Sequence, residues 1–160
     1  MKTKFLIITI LTVLFSMTAK AQKSVGLLLG SPTSINVQFD MPESKTLEVG
    51  LGIGYNRSTI LYGDYLFHQP NIFPRANNIQ LIYGVGGLIA VSNDNRDEND
   101  WFYAKKSGEI GLAIRAPFTL EWRPNPIHQF GFSFQLAPTL SIIPRMAAGI
   151  LGGLGIRFYF

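Results

Sequence analysis

Residues 149–160 read GILGGLGIRFYF, and their alternation decides the fold. Even positions carry Ile150, Gly152, Leu154, Ile156, Phe158 and Phe160; odd positions carry Gly149, Leu151, Gly153, Gly155, Arg157 and Tyr159. One face is apolar and the other holds glycine, a cation and a phenol. A β-strand sends successive side chains to opposite faces, so this segment reads as a strand with one apolar side. The same period runs through 108–123, where Ile110, Leu112, Ile114, Phe118, Leu120 and Trp122 oppose Glu109, Arg115, Glu121 and Arg123. It runs through 129–142, where Phe130, Phe132, Phe134, Leu136 and Leu140 oppose Ser133, Gln135 and Thr139. Weaker copies occupy 24–30, 34–40, 46–55, 59–68 and 79–91, and no stretch keeps helical spacing. The total is about eight strands. Pro117 and Pro138 fall inside two of them. Proline cannot donate to a ladder, so each is expected at a bulge or a strand end; if both end strands, the number becomes ten.

The chain has 160 residues, enough for one domain. It is 47% hydrophobic and 15% charged, where an average soluble domain carries roughly 25% charge. The absence of cysteine removes disulfides, thiolate metal sites, cysteine nucleophiles and a cysteine-linked lipid anchor. Residues 1–21 read as a secretory signal: Lys2 and Lys4, the apolar run Phe5 to Phe15, then Ala19-Lys20-Ala21 as the cleavage site. The competing reading, a membrane anchor, suffers from the run's length, too short for roughly 30 Å of hydrocarbon. Cleavage leaves 139 residues with eleven basic and ten acidic side chains. The basic balance is then no argument for nucleic acid. No later segment supplies the roughly 20 apolar residues of a membrane helix.

Which face lies inside separates two folds. A soluble, secreted β-sandwich or lipocalin-like barrel would turn the apolar face inward and cover the outside with Lys and Glu. Here the polar face is mostly Gly, Ser and Thr, while the apolar faces are long and aromatic. That pattern suits a wall facing lipid, and a closed barrel leaves no unpaired edge in the bilayer. The expected fold is all-β: an eight-stranded antiparallel up-and-down transmembrane β-barrel over 22–160. With the N-terminus periplasmic, Phe39, Tyr65, Phe67, Trp122, Phe158 and Phe160 fall at one level as an aromatic girdle. Met41–Lys45 and Pro124–Pro126 become short turns, and 92–107 a long extracellular loop. The 68–78 connection is long for the periplasmic side.

The C-terminal alternation ending in Ile156, Phe158 and Phe160 resembles the insertion signal of bacterial outer-membrane barrels. The segments GLLLGSPTSINVQF, LYGDYLFH, YGVGG, GLAIRAPFTLEW, FSFQLAPTL and GIRFYF, in that order, resemble a family of small outer-membrane β-barrels of unknown function, similar in architecture to the OmpA/OmpX group. The likeness spans the mature chain. It implies location in the outer membrane, contact with its lipid and with the assembly machinery during insertion, and a monomer; it supplies no catalytic set. Gln38 and Gln135 stand where that family commonly carries a charge.

Candidate chemistry lies on the inward face, at Glu48, Asp64, Glu109, Arg115, Glu121, Arg123 and Arg157. They read either as an ion-pair network filling the lumen or as a path for protons or ions. Side chains just fill an eight-stranded barrel, and a buried charge needs a partner, so the network is the expectation. A pore for ions or small solutes is the alternative. A lipid-modifying enzyme is a third reading; it requires a Ser or Asp beside His68, one of two histidines. Asp94, Asp97, Glu98 and Asp100 in the loop lack the EF-hand pattern, with Asn99 and Lys105 at its glycine and acid positions. Trp101, Phe102 and Tyr103 in that loop are the candidate contact surface for an outer leaflet or an extracellular ligand. The alternating glycines at 50–54 and 84–87 sit within strands, so they make no nucleotide site. No catalytic, cofactor-binding or metal-ligating residue is assigned, and no cofactor is implied.

Overall fold

The computed structural model describes residues 23–54, 57–70, 72, 78–92 and 108–160. The strands are β1 (Lys23–Ser31), β2 (Thr33–Met41), β3 (Lys45–Ile53), β4 (Thr59–Pro70), β5 (Ile79–Val91), β6 (Ile110–Arg115), β7 (Phe118–Trp122), β8 (Phe130–Ile143) and β9 (Ala147–Tyr159). Each pairs antiparallel with its neighbours, and β1 closes against β9 with Val25 opposite Phe158 and Gly30 opposite Gly153. Closure removes the exposed edges that an open sheet of this length would leave.

Nine strand segments make eight staves. β6 and β7 both lie between β5 and β8. Across the gap at Ala116 and Pro117 the register does not slip, because Gly86 faces Arg115 and Tyr83 faces Phe118. Pro117 therefore splits one expected strand into two collinear pieces. Pro138 sits inside β8 opposite Ile150 and ends nothing. The stave number stays at eight, and the ten-stranded alternative is not what forms. A register shift between Leu112 and Ala113 bends the far end of this stave.

Parity holds around the barrel. Leu27, Ile35, Leu51, Leu61, Val85, Ile114, Leu136 and Leu154 are exposed on the outer face. The alternate positions are buried, with a polar half-lumen toward the chain termini and an apolar cluster in the other half. That cluster is Ile60, Tyr62, Leu88, Ala90, Ala113, Ala137 and Leu151. The aromatics gather near the terminal end: Tyr65 on Phe67 at 5.2 Å, Phe67 on Tyr83 at 5.7 Å, Trp122 on Phe132 at 5.8 Å and Phe130 on Phe158 at 5.2 Å. The belt thus also takes in Tyr83, Phe130 and Phe132. At that same end the β2–β3 turn runs through Glu43 and Ser44 at φ 65° and 56°, the left-handed backbone that a tight hairpin needs. A single 3-10 turn, Asn125–Ile127, links β7 to β8. No helix among the described residues is long and apolar enough to cross a membrane.

Candidate functional site

The lumen is organised by glycine. Across the ladders Tyr62 faces Gly50, Asp64 faces Gly86, Gly86 also faces Arg115, and Arg157 faces Gly26 on one side and Gly131 on the other. A Cβ on Gly50 would land in the Tyr62 ring, and one on Gly86 would meet the Asp64 side chain. Each large polar side chain therefore lies over a position that has none. This is how a narrow barrel admits two guanidiniums and two phenols.

Two ion-pair groups result. In the first, Arg157 Nη2 donates to Glu48 Oε2 at 2.7 Å and Gln38 Nε2 donates to the same oxygen at 2.7 Å. Arg157 Nε lies 3.8 Å from Glu121 Oε2. Glu121 also accepts from Tyr159 Oη at 2.7 Å, Gln80 Nε2 at 2.8 Å and Arg123 Nε at 2.7 Å. Arg123 lies just past the end of β7 and covers the Tyr159 ring, its guanidinium carbon 3.6 Å from the centroid. Burial pulls the Arg123 guanidinium down, but the Glu121 carboxylate outweighs it and holds the group above its ordinary value.

In the second group, Arg115 Nε lies 3.3 Å from Asp64 Oδ1, and both side chains are fully buried. Arg115 Nη2 donates to Gln135 Oε1 at 3.2 Å, and Gln135 Nε2 donates to Thr119 Oγ1 at 3.1 Å. The guanidinium stacks 4.5 Å from the Tyr62 ring centre. The Tyr62 hydroxyl meets Ser34 Oγ at 3.0 Å and accepts from Asn36 Nδ2 at 3.3 Å.

The structure thus brings Glu48, Asp64, Arg115, Glu121, Arg123 and Arg157 into the lumen. Glu109 does not join them: it stands before β6, and its carbonyl accepts from Ser92 N at 3.1 Å. Gln38 and Gln135 are members that a search for charge passes over. Their signal in the sequence was inward parity, and each supplies the amide that links a charged side chain to its surroundings. An enclosed space of about 10 Å³ beside Gln135 and Arg157 leaves room for about one water.

His68 sits near the terminal mouth. Its Nε2 lies 2.6 Å from Thr46 Oγ1, and that hydroxyl donates to Asp40 Oδ1 at 2.9 Å. The Thr46 proton is thus committed to Asp40, and Nε2–H of His68 is the donor to Thr46. This is a hydrogen-bonded chain rather than a hydroxyl poised against a base. Among the described residues no cluster of three or more His, Cys, Asp or Glu side chains is placed to hold a metal ion. Trp101, Phe102, Tyr103 and the rest of 93–107 lie outside the described residues, as do 1–22. Ile156, Phe158 and Phe160 point outward on and just past β9, 49%, 38% and 64% exposed.

This fold is that of the eight-stranded outer-membrane β-barrels. Among solved structures the chain is similar to the N-terminal β-barrel domain of Pseudomonas aeruginosa OprF, with a TM-score of 0.63 and 10% identity over 88% of this chain and 96% of that one. The Yersinia pestis outer membrane protein Ail aligns with a TM-score of 0.43 and 11% identity over 88% of this chain and 100% of Ail. No family model matches the sequence, and no curated protein matches it. At 10% identity the likeness to OprF speaks for the fold alone.

Proposed function

We propose that the chain is an integral protein of the bacterial outer membrane with a structural or surface-interaction role and a lumen closed to solutes. One observation carries the reading: an unbroken outward apolar belt surrounds a lumen filled by paired side chains. Leu29, Leu51, Val85, Ile114 and Leu154 would be costly in water at 53–64% exposure, and an apolar band flanked by aromatics is what hydrocarbon rewards. The filled lumen favours closure, because ions would have to displace both charge groups and then pass the apolar cluster around Leu88 and Leu151.

In this reading Ile156, Phe158 and Phe160 are presented to the assembly machinery, the barrel is monomeric, and no step of chemistry is assigned to the lumen. The loop bearing Trp101, Phe102 and Tyr103 is the proposed contact with an extracellular ligand or the outer leaflet. The test is fractionation followed by electrophoresis in SDS with and without boiling. A band in the outer-membrane fraction that shifts on heating supports the reading. A soluble periplasmic protein with no shift overturns it. Single-channel recording then tests the closed lumen, where steady conductance in the unmodified barrel would establish a pore instead.

A further inference from the structure

The two ion-pair groups meet across the small space beside Gln135. Arg157 of the first group borders it, as do Asn36, Thr119 and Gln135 of the second. Two glycines keep it open. Gly26 stands in the ladder between Asn36 on β2 and Arg157 on β9, so both long side chains lean over a position that has none. A Cβ there would collide with Asn36 Oδ1 and stand 3.5 Å from Arg157 Cζ. A Cβ on Gly155, which also lines the space, would collide with Ser133 Oγ. The volume left between them is about 10 Å³, close to that of a single water-sized sphere.

The two side chains over Gly26 have hydrogen-bonding capacity to spare. Asn36 Oδ1 and Arg157 Nε have no hydrogen-bond partner, although the residues are only 4% and 8% exposed. Neither can turn to satisfy the free atom without giving up a bond it already makes. Asn36 Nδ2 donates to the Tyr62 hydroxyl, and Arg157 Nη2 donates to Glu48. A buried acceptor and a buried donor are thus left side by side, each at the cost of its desolvation.

We infer that this space is a binding site for one water molecule, which donates to Asn36 Oδ1 and accepts from Arg157 Nε. Thr119 Oγ1 accepts from Gln135 and keeps its own proton for the water, and Ser133 Oγ offers an acceptor for the water's second proton. A buried water needs two to four such partners. Size and charge exclude other occupants. A halide is larger than the space, and a cation would sit against a guanidinium. Glu48, Asp64 and Glu121 offset Arg115, Arg123 and Arg157 in the lumen, so a lone ion of either sign would be buried without compensation. Water supplies both a donor and an acceptor and adds no charge. It joins the two groups into one network, from Glu48 and Arg157 through the water, Asn36 and Tyr62 to Arg115 and Asp64. The polar half of the lumen is then closed by a single connected plug.

The full chain, refolded in detergent micelles, is crystallised with rubidium bromide as the only salt. The expected result is one oxygen-sized density peak within hydrogen-bond distance of both Asn36 Oδ1 and Arg157 Nε, with no anomalous signal from either ion. In solution, relaxation dispersion of the water resonance counts the molecules held inside the barrel. Gly26→Ala should lower that count by one, because its methyl group or the displaced Asn36 amide takes the space. Gly63→Ala, on the outer face, should leave the count unchanged. If Gly26→Ala does not fold, the density of the parent decides. An empty site in the parent crystal, an anomalous peak there, or an unchanged count in folded Gly26→Ala overturns the proposal.

Discussion

Removing Arg157 should unfold the barrel more readily than removing the carboxylate it pairs with. Glu48 is held by Arg157 at 2.7 Å and by Gln38 at 2.7 Å, both on Oε2, while Oε1 has no hydrogen-bond partner. After Arg157→Met the Glu48 carboxylate stays buried with one neutral amide for company. The expected cost is about 3–5 kcal/mol, the penalty of an uncompensated buried charge. Glu121 is insulated from this loss, because Arg123, Tyr159 and Gln80 still bond to it. Glu48→Met is milder, about 1–3 kcal/mol, since Arg157 keeps Glu121 at 3.8 Å and Ser24 at 3.4 Å. The double variant Arg157→Met, Glu48→Met removes both charges and should lie within about 1 kcal/mol of the parent. Urea titration of the refolded barrel, followed by tryptophan fluorescence, gives all four values; Trp122 reports from the outer face at 49% exposure. The cycle should return a coupling of about 3 kcal/mol or more. A double variant as unstable as the sum of its singles would refute the reasoning, because the two charges would then not compensate one another.

Further substitutions test other parts of the fold. Gly50→Val should lose about 1–3 kcal/mol by overpacking, since its side chain would collide with the Tyr62 ring; Gly63→Val, with only one distant backbone contact to meet, should stay close to the parent in the same urea titration. Ile114→Arg places a cation at mid-height on the outer face and should cost about 2–4 kcal/mol in vesicles, read by the urea midpoint of vesicle-inserted protein. Pro138→Ala returns an N–H to the Ala116 carbonyl on an exposed outer position, and should raise stability by about 1 kcal/mol. No change, or a loss, would mean that the missing ladder bond is already replaced.

Much of the fold was legible because a barrel asks only for parity. Every even residue from Ile114 to Trp122 faces away from the lumen and every odd one toward it, straight through the break at Pro117, because the register to both flanking strands is unslipped there. Alternation carries no such information about what meets what inside. That Arg157 would pair with Glu48 and Arg115 with Asp64 depends on the stagger of strands far apart in sequence. The partners of Gln38 and Gln135 were hidden for the same reason: an amide links whatever the register brings to it. The glycines come closest to being readable, since Gly26, Gly50, Gly86 and Gly131 each stand opposite a large polar side chain, but only the ladder says which one.

That difference bears on where function can be written in so small a barrel. The outer face must be apolar and the lumen must be paired, so most positions are fixed by solvent and charge before any ligand is considered. Freedom remains in the loops and in departures from the ladder's own rules. Pro117 and Pro138 are such departures. A wall with alanine at both places would keep the same parity and the same register and gain two hydrogen bonds. The prolines lower the wall's cohesion at one spot, and a groove opens on the outer face beside Ala116 and Pro138 there. Local weakness and outward access coincide there.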